Sequence, residues 1–458
     1  MMKKLRIFLS IAACKFTRWA LRITGRGGTS LPGKVALKLC PDILGVMAKN
    51  VKTVVITGTN GKTTSSRIVE QVLADAGVNY FANRSGANLI QGITAEYAAH
   101  STLTGNPKCE YAVIECDEAA TKRVCKFLDP KVMVVTNIFR DQLDRFGEVF
   151  TTLENVKIGV KNSPNAIVCL NADCSMTVSI AEEIDNEVIF FGVNTEIYKD
   201  RVEELSDASH CIHCTEEYEY DYITYGHLGG FRCPKCGFHR PAPQVAVTKI
   251  LRQELDSSTV EMDIHGTTVN VDINIAGGYN IYNAVAAVTA AQAFGFDLQT
   301  TIGAVSAFRC GFGRMETFDL DGHSVRMILV KNPAGCNQVL NFLSNIDEET
   351  LFVCILNDND CDGTDVSWIW DVNFETLCGP GGKLNQVLCS GIRADDMAMR
   401  FKYAGLAIDG IEVVKDYNTL LQTLLAQDKP VVIMPTYSGM MDFRAKISES
   451  FAIPEFWE

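Results

Sequence analysis

The stretch Val54-Val-Ile-Thr57-Gly58-Thr-Asn-Gly-Lys-Thr-Thr64 constrains the fold more than any other part of the chain. Residues of strand character enter a glycine-bearing turn. Ser65–Gly77 then continues at helical spacing, with Ile68, Val69, Val72 and Leu73 on one face. Strand, Gly-rich turn and helix start is the context a phosphate cradle needs. Backbone N–H groups and the positive helix end face the anion, Lys62 neutralises phosphate charge, and the Thr63 hydroxyl can ligate Mg²⁺. The expected nucleotide contacts are therefore Thr59, Asn60, Gly61, Lys62, Thr63 and Thr64. The usual pattern would place Gly at position 56, where this chain has Ile.

Short apolar runs bounded by turns continue the rhythm: Tyr111–Glu115, Val132–Thr136, Ala166–Leu170 and Val188–Phe191. Buried parallel strands read this way, which predicts a doubly wound α/β sheet. A second series (Val325–Val330, Leu351–Leu356, Val387–Ser390, Val431–Met434) predicts a smaller Rossmann-like α/β domain, with the boundary near Gly311-Phe-Gly-Arg314. The expected layout is a basic N-terminal segment at 1–50, a central ATP-binding domain at 51–312 and a C-terminal domain at 313–458. A polar, aromatic and Cys-rich insertion at about 196–245 interrupts the central domain.

Charge narrows the partners. Residues 1–41 hold nine Lys/Arg and no Asp/Glu, leaving 33 basic against 55 acidic residues elsewhere, a net of −22. An acidic body argues against nucleic-acid binding, which relies on basic residues neutralising phosphates. The start, Met1 to Cys14, imitates a short signal peptide ending in a lipoprotein-type cysteine. Its apolar run is at the lower limit for that role, and Lys15–Arg22 continues as a basic amphipathic helix. A phosphate loop also needs cytosolic ATP, so the expected location is cytoplasmic; the basic helix is either simply solvated or weakly attracted to anionic lipid at the inner face of the membrane. Seventeen cysteines in 458 residues are not a small disulfide scaffold; Cys169, Cys354 and Cys389 sit in apolar runs as small buried hydrophobes.

Further positions carry chemistry. Glu115 closes a strand on the side where doubly wound sheets bind ligands, and Mg²⁺ favours such hard oxygen ligands. Asp141 and Asp144 follow the next strand, where they either face the site or cap a helix. Cys211-Ile-His-Cys214 and Cys233-Pro-Lys-Cys236 form two CxxC pairs that would close a four-thiolate Zn²⁺ site with no open position, structural rather than catalytic. Asn280 and Asn283 open a small-residue helix, and Arg314 lies at the presumed junction, facing either nucleotide or solvent. Asp360–Asp371 packs four carboxylates beside Trp368 and Trp370, which serve either a partner surface or the core. Neither a nucleophile elbow nor a Ser/His/Asp or Cys/His set stands out.

Taken in order, the phosphate loop, Glu115, Thr136-Asn-Ile with Asp141 and Asp144, Asn280-x-x-Asn283 and Gly313-Arg-Met-Glu316 resemble the Mur ligase family. The inserted Cys₄ ribbon and Asp362-Gly-Thr-Asp-Val-Ser-Trp-Ile-Trp-Asp371 narrow the resemblance to the MurT branch, the ligase-like subunits of lipid II isoglutaminyl synthase. The resemblance runs from about residue 25 to the C-terminus. Two departures from ordinary Mur ligases stand out: Asp141-Gln-Leu-Asp144 lacks a metal-contacting His, and Ile328–Pro333 lacks a ribose-contacting Asp.

The resemblance implies ATP-dependent amidation of the α-carboxylate of D-glutamate in the lipid II stem peptide through an acyl phosphate. Lys62, Thr63 and Glu115 would serve ATP and Mg²⁺, with Asn283 and Arg314 reaching the nucleotide. Ammonia would come from a separate glutaminase subunit, GatD, whose triad Asp365 would complete; the residues alone do not choose Asp365 over Asp362 or Asp371. Two rivals stand beside this reading. One is a self-sufficient ligase of the folylpolyglutamate synthase type; the other is a zinc-ribbon NTPase that binds nucleic acid.

Overall fold

In the computed structural model, the described residues are 2–23, 29–84, 87–139, 149–197, 208–254, 257–275, 277–309, 314–344, 349–378 and 382–453. The larger sheet contains β1 (Lys52–Thr57), β2 (Tyr80–Ala82), β3 (Tyr111–Glu115), β4 (Val132–Val135), β5 (Ile167–Asn171) and β6 (Val188–Val193). After a separate hairpin of β7 (Glu219–Tyr225) and β8 (Leu228–Arg232), the chain adds β9 (Val245–Gln253), β10 (Ser258–Ile264) and β11 (Thr267–Ile273). Strand order is β11-β10-β9-β6-β5-β4-β1-β3-β2. Pairing is parallel from β2 to β9 and antiparallel from β9 to β11.

β1 lies between β3 and β4, so successive crossovers leave it in opposite directions. That reversal opens a crevice at the carboxyl ends of the strands, where α/β sheets bind ligands. The strands are apolar on both faces because helices cover both; Val54, Val55, Val113, Ile114, Val134 and Val135 are all inaccessible to solvent.

The second sheet comprises β12 (Arg314–Leu320), β13 (His323–Ile328), β14 (Leu351–Ile355), β15 (Val387–Ser390), β16 (Ile411–Val413) and β17 (Val431–Pro435), ordered β12-β13-β17-β14-β15-β16. It is parallel except for the β12–β13 hairpin. Asp321 and Gly322 turn that hairpin with φ of 53° and 94°, the left-handed pair a two-residue turn needs. The two faces of this sheet build separate apolar clusters around Phe401 and Phe443. Cys169, Cys354 and Cys389 are buried in strands as expected, and burial pushes the Cys389 thiol up to about 12. At the N-terminus the basic amphipathic helix is longer than its sequence suggests, Met2–Ile23, and packs on helices Leu31–Leu39 and Ile90–Ala99.

Candidate functional site

The turn after β1 is held open by glycines that nothing else could replace. Gly58 has φ of 119°, and a Cβ there would lie 2.3 Å from Thr136 Oγ1. Gly61 has φ of 86°, and a Cβ there would meet Asn283 Oδ1 at 2.0 Å. Helix Lys62–Asp75 starts directly after it, at the carboxyl edge of the sheet. The N–H groups of Thr59 and Asn60 donate to the Asn137 carbonyl and side chain at 2.9 Å each, and the Thr59 hydroxyl donates to Phe139 O. The phosphate loop is thus clamped to the segment after β4, and anion binding falls to the helix start.

Lys62 is buried. Its Nζ donates to Gly58 O at 2.5 Å and pairs with Glu118 Oε2 at 3.1 Å. Glu118, itself buried, is not among the residues singled out from the sequence. Glu115 sits at the half-buried end of β3, in register with Ile56. Asn83 fixes that end by accepting from Glu115 N–H at 2.8 Å and donating to Glu115 O at 2.7 Å. Asp141 and Asp144 lie outside the described residues, as does the Arg314 side chain.

Across from the loop stand Asn283 and the segment after β13. Asn332 donates to Asn60 Oδ1 at 3.1 Å, linking the two sheets. Asn60, Gly61, Tyr225, Asn283, Lys331 and Asn332 line a cleft of about 80 Å³. Small-molecule pockets begin at roughly 300 Å³, so the cleft in this conformation is smaller than a nucleotide site. A larger hollow of about 360 Å³, between Glu349 and Lys429, lies at the opposite, amino-terminal edge of the second sheet, away from every motif. Three buried polar atoms in or beside the loop have no protein partner: Thr57 Oγ1, Asn60 Nδ2 and Thr64 Oγ1. Buried polar groups are normally satisfied, so these atoms fit a polar ligand, as a nucleotide with its metal would be.

The four cysteines come together. Their sulfurs all lie within 4.8 Å of one another, with Cys211–Cys236 and Cys214–Cys233 at 3.5 Å. A tetrahedral Zn–S₄ centre with bonds of about 2.3 Å needs sulfurs about 3.8 Å apart, so the set fits zinc. Each CxxC forms a knuckle: Thr215 and Gly237, at φ of 61° and 80°, return their N–H groups to Cys211 O and Cys233 O.

What the sequence left dark is how this ribbon reaches the cleft. Hairpin β7–β8 sends Tyr225 into the cleft lining, stacked on Phe139 at 5.6 Å. His227, fully buried, packs on Phe139 at 4.3 Å, and burial pulls its pKa down to about 4. Beneath the hairpin, Asp173 accepts from Arg240 Nε at 2.6 Å, Tyr282 OH at 2.5 Å and Val193 N–H at 2.8 Å. Burial raises its carboxyl above the usual range, and Arg240 is the charge that opposes the shift. Tyr282 adjoins Asn283, so one hub joins the insertion, the sheet and the cleft-lining helix.

In the second sheet the carboxylates of 360–371 separate. Asp362 is buried and saturated: it accepts from Ser438 N–H at 2.7 Å, Ser438 Oγ at 2.5 Å and Asn359 N–H at 3.2 Å. Asp365 is half-buried and accepts from Ser367 N–H at 2.8 Å; hydrogen bonding from the Ser367 side chain, and then from that N–H, holds its carboxyl below the usual range. Trp368 is partly buried against the core, while Trp370 is half exposed beside Tyr403 at 5.6 Å.

Comparison with known proteins agrees with this geometry. Residues 56–234 match the Mur ligase middle domain and 329–440 match the MurT ligase C-terminal domain. The MurT subunit of lipid II isoglutaminyl synthase (glutamine-hydrolyzing) from Streptococcus pneumoniae (strain ATCC BAA-255 / R6) is 35% identical over 96% of this chain and 96% of its own length. The chain belongs to the MurT family. A second MurT, from Staphylococcus aureus (strain COL), is 32% identical over 98% of this chain and 99% of its own. In fold, this MurT-family chain is similar to a pseudomurein peptide ligase type C from Methanothermus fervidus, with a TM-score of 0.68 at 20% identity, covering 89% of this chain and 80% of that one. The family carries the Mur ligase fold expected from the motifs.

Proposed function

We propose that this chain is the ATP-dependent ligase subunit of a lipid II isoglutaminyl synthase, amidating the α-carboxylate of D-glutamate in the stem peptide. The observation that carries this reading is the cleft between the two sheets, where the phosphate loop, Asn283, Lys331 and Asn332 converge around unpartnered polar atoms. Gly61, Lys62, Thr63 and Thr64 bind ATP at the helix start, Asn60 offers its side-chain amide from the loop, and Asn283 and Arg314 complete the contacts; Thr59, expected to join them, has its N–H and hydroxyl held by Asn137 and Phe139 and shapes the loop instead. Thr63 and Glu115 would hold Mg²⁺, which when bound neutralises phosphate charge; the four cysteines would hold a structural Zn²⁺.

Lys62 already sits at the helix start, and a phosphate oxygen competes with Gly58 O and Glu118 for its ammonium. The substrate carboxylate oxygen attacks the γ-phosphorus in line and ADP departs with the bond's electron pair. Ammonia then attacks the acyl carbon, phosphate leaves and the nitrogen sheds a proton. Positioning and charge neutralisation are the protein's share of this chemistry.

Ammonia comes from a GatD-type glutaminase partner. Asp365 is the residue proposed to complete that partner's triad, because Asp362 has its acceptors filled internally whereas Asp365 is reachable from solvent. A carboxylate beside a histidine Nδ1–H fixes its tautomer and stabilises the imidazolium.

The test is amidation of lipid II by the chain co-purified with its glutaminase, supplied with glutamine or with ammonium. Asp365→Asn should abolish glutamine-dependent amidation and leave ammonium-dependent amidation within about twofold. Equal loss of both sinks the triad role. Absence of amidation with either nitrogen source sinks the ligase reading, and incorporation of a free amino acid instead would favour a self-sufficient ligase.

A further inference from the structure

Helix Met2–Ile23 has two apolar faces on opposite sides. One is seated: Ser10, Ile11 and Cys14 are buried against the body, and Arg18 pairs with Glu96 at 3.0 Å. The other is bare. Leu5, Leu9, Phe16, Trp19 and Ile23 recur at i, i+4, i+11, i+14 and i+18 along one stripe, with Ala12 completing the spacing at i+7. Leu5 is 58% exposed, Phe16 65%, Trp19 59% and Ile23 65%, and Phe16 and Trp19 pair at 5.6 Å on the surface. An extended apolar stripe of this kind marks an interaction surface.

Charge selects the occupant. Lys4, Lys15 and Arg22 border the stripe on one side and Arg6 on the other, while exposed Lys34 and Lys38 extend the basic field from the neighbouring helix. This arm has no acidic residue within 1–41, although the rest of the chain is strongly acidic. A basic helix with an outward apolar stripe and a tryptophan fits the interface of an anionic bilayer, where apolar side chains enter the headgroup boundary and Lys/Arg meet lipid phosphates. No described helix is long and apolar enough to cross a membrane, so an in-plane attachment is the mode available.

Placement gives the surface a purpose. Along the helix, Ile11 lies near Gly105, Lys15 donates to Ser101 O and Arg18 pairs with Glu96, so its partners descend toward the start of helix Ile90–Ala99. Two residues before that start, the Asn88 carbonyl accepts from Asp117 N–H beside the catalytic edge of the sheet. We infer that helix Met2–Ile23 is an amphipathic membrane-surface anchor that lays its Leu5–Ile23 stripe into an anionic lipid leaflet and sets the catalytic edge beside the membrane. The catalytic part of this statement rests on the proposed lipid-linked substrate; the lipid contact does not.

Two readouts keep those parts distinct. In flotation with phosphatidylcholine vesicles, alone or mixed with phosphatidylglycerol, the full chain with its glutaminase should float only with the anionic mixture. Raising salt should release it in part. Phe16→Ser with Trp19→Ser should weaken flotation at least about tenfold, and Lys4→Gln with Arg22→Gln about fivefold per charge at low salt. The altered side chains are exposed, so thermal melting should not change. Amidation of vesicle-embedded lipid II should fall with flotation, whereas amidation of a soluble stem peptide should not. Absent flotation, flotation indifferent to either pair of substitutions, or substitutions that instead split an oligomer into monomers would each overturn the anchor. Retained flotation with no amidation of any substrate would sustain the anchor and overturn the function.

Discussion

The Asp173–Arg240–Tyr282 hub makes the sharpest energetic prediction. The Asp173 side chain is wholly inaccessible and Arg240 is 13% exposed, so their 2.6 Å contact is screened little by water. Asp173→Asn removes one charge and leaves the guanidinium facing a neutral amide. Breaking a buried pair by losing one member costs about 3–5 kcal/mol, most of it the uncompensated partner. The small residual exposure of Arg240 places the expected loss at the lower end, about 3 kcal/mol. Arg240→Met should cost at least as much, because Asp173 has no route to solvent. The double variant should cost several kcal/mol less than the sum, since neither orphan then exists. Urea unfolding of the whole chain, followed by the far-UV signal and by Tyr fluorescence, tracks the transition of the nine-stranded sheet, whereas Trp368 and Trp370 report the second sheet. Additive single costs, or single costs below about 1 kcal/mol, would refute the claim that this pair ties the ribbon to the sheet. ADP affinity should fall in parallel in each single variant, because Tyr282 precedes Asn283 on the cleft-lining helix.

Three further outcomes are expected. His227 is buried and neutral, with a folded pKa of about 4 against an ordinary 6.5. The unfolded chain therefore gains a proton that the folded one refuses between those values. Stability should fall as pH drops from 6.5 to 4, by about 3 kcal/mol in total; melting of His227→Phe should show a flatter slope across that window, and an unchanged slope would exclude His227 as its source. Gly61→Ala should weaken ADP binding at least about tenfold, through left-handed strain and the collision with Asn283 Oδ1; titration calorimetry checks this, and Asn283→Ala should not rescue it fully, because the strain at φ of 86° persists. With the proposed Zn²⁺ bound to the four cysteines, a chelator should lower ADP affinity along with ribbon stability, because Tyr225 reaches the cleft from the hairpin those cysteines flank; unchanged affinity would mean that the hairpin holds its place without a metal.

Much of this was legible locally, because local physics decides it. The parallel strands announce themselves as apolar runs, since both of their faces are covered, and the glycine turn before Lys62 admits few conformations. The antiparallel extension β9–β11 is not among the expected strands, because it alternates instead of running apolar: Val260, Met262 and Ile264 point inward alternately, and His265-Gly266 turns at φ of 50° and 83°. What no window contained was its attachment to β6, which is a matter of tertiary packing. The hub escaped for the same reason, because Asp173 finds partners 67 and 109 residues away. Among the carboxylates of 360–371, the Ser438 bonds, formed across 76 residues, set Asp362 apart from Asp365, and no local window contains them.

That distinction bears on how two chemistries could be joined. Lys331 and Asn332 follow β13, and the segment containing Asp365 follows β14, so both leave the carboxyl edge of one sheet. Only β17 separates those strands, which places their axes about 10 Å apart. Asn357 accepts from Ile392 N–H and donates to Ser438, pinning the start of the Asp365 segment to the loop after β15 and to helix Tyr437–Ser448. On the proposed reading, the partner's glutaminase and the acyl-phosphate cleft therefore flank the same edge, and ammonia has a short distance to travel. Asp362 is the member of that segment whose loss should be felt structurally. Asp362→Asn leaves Ser438 and Asn359 donors without a carboxylate, at a cost of about 2 kcal/mol. It should lower glutamine-dependent and ammonium-dependent amidation together. Asp365→Asn should separate them, and a variant pair that behaved identically would mean the edge does not divide its work in this way.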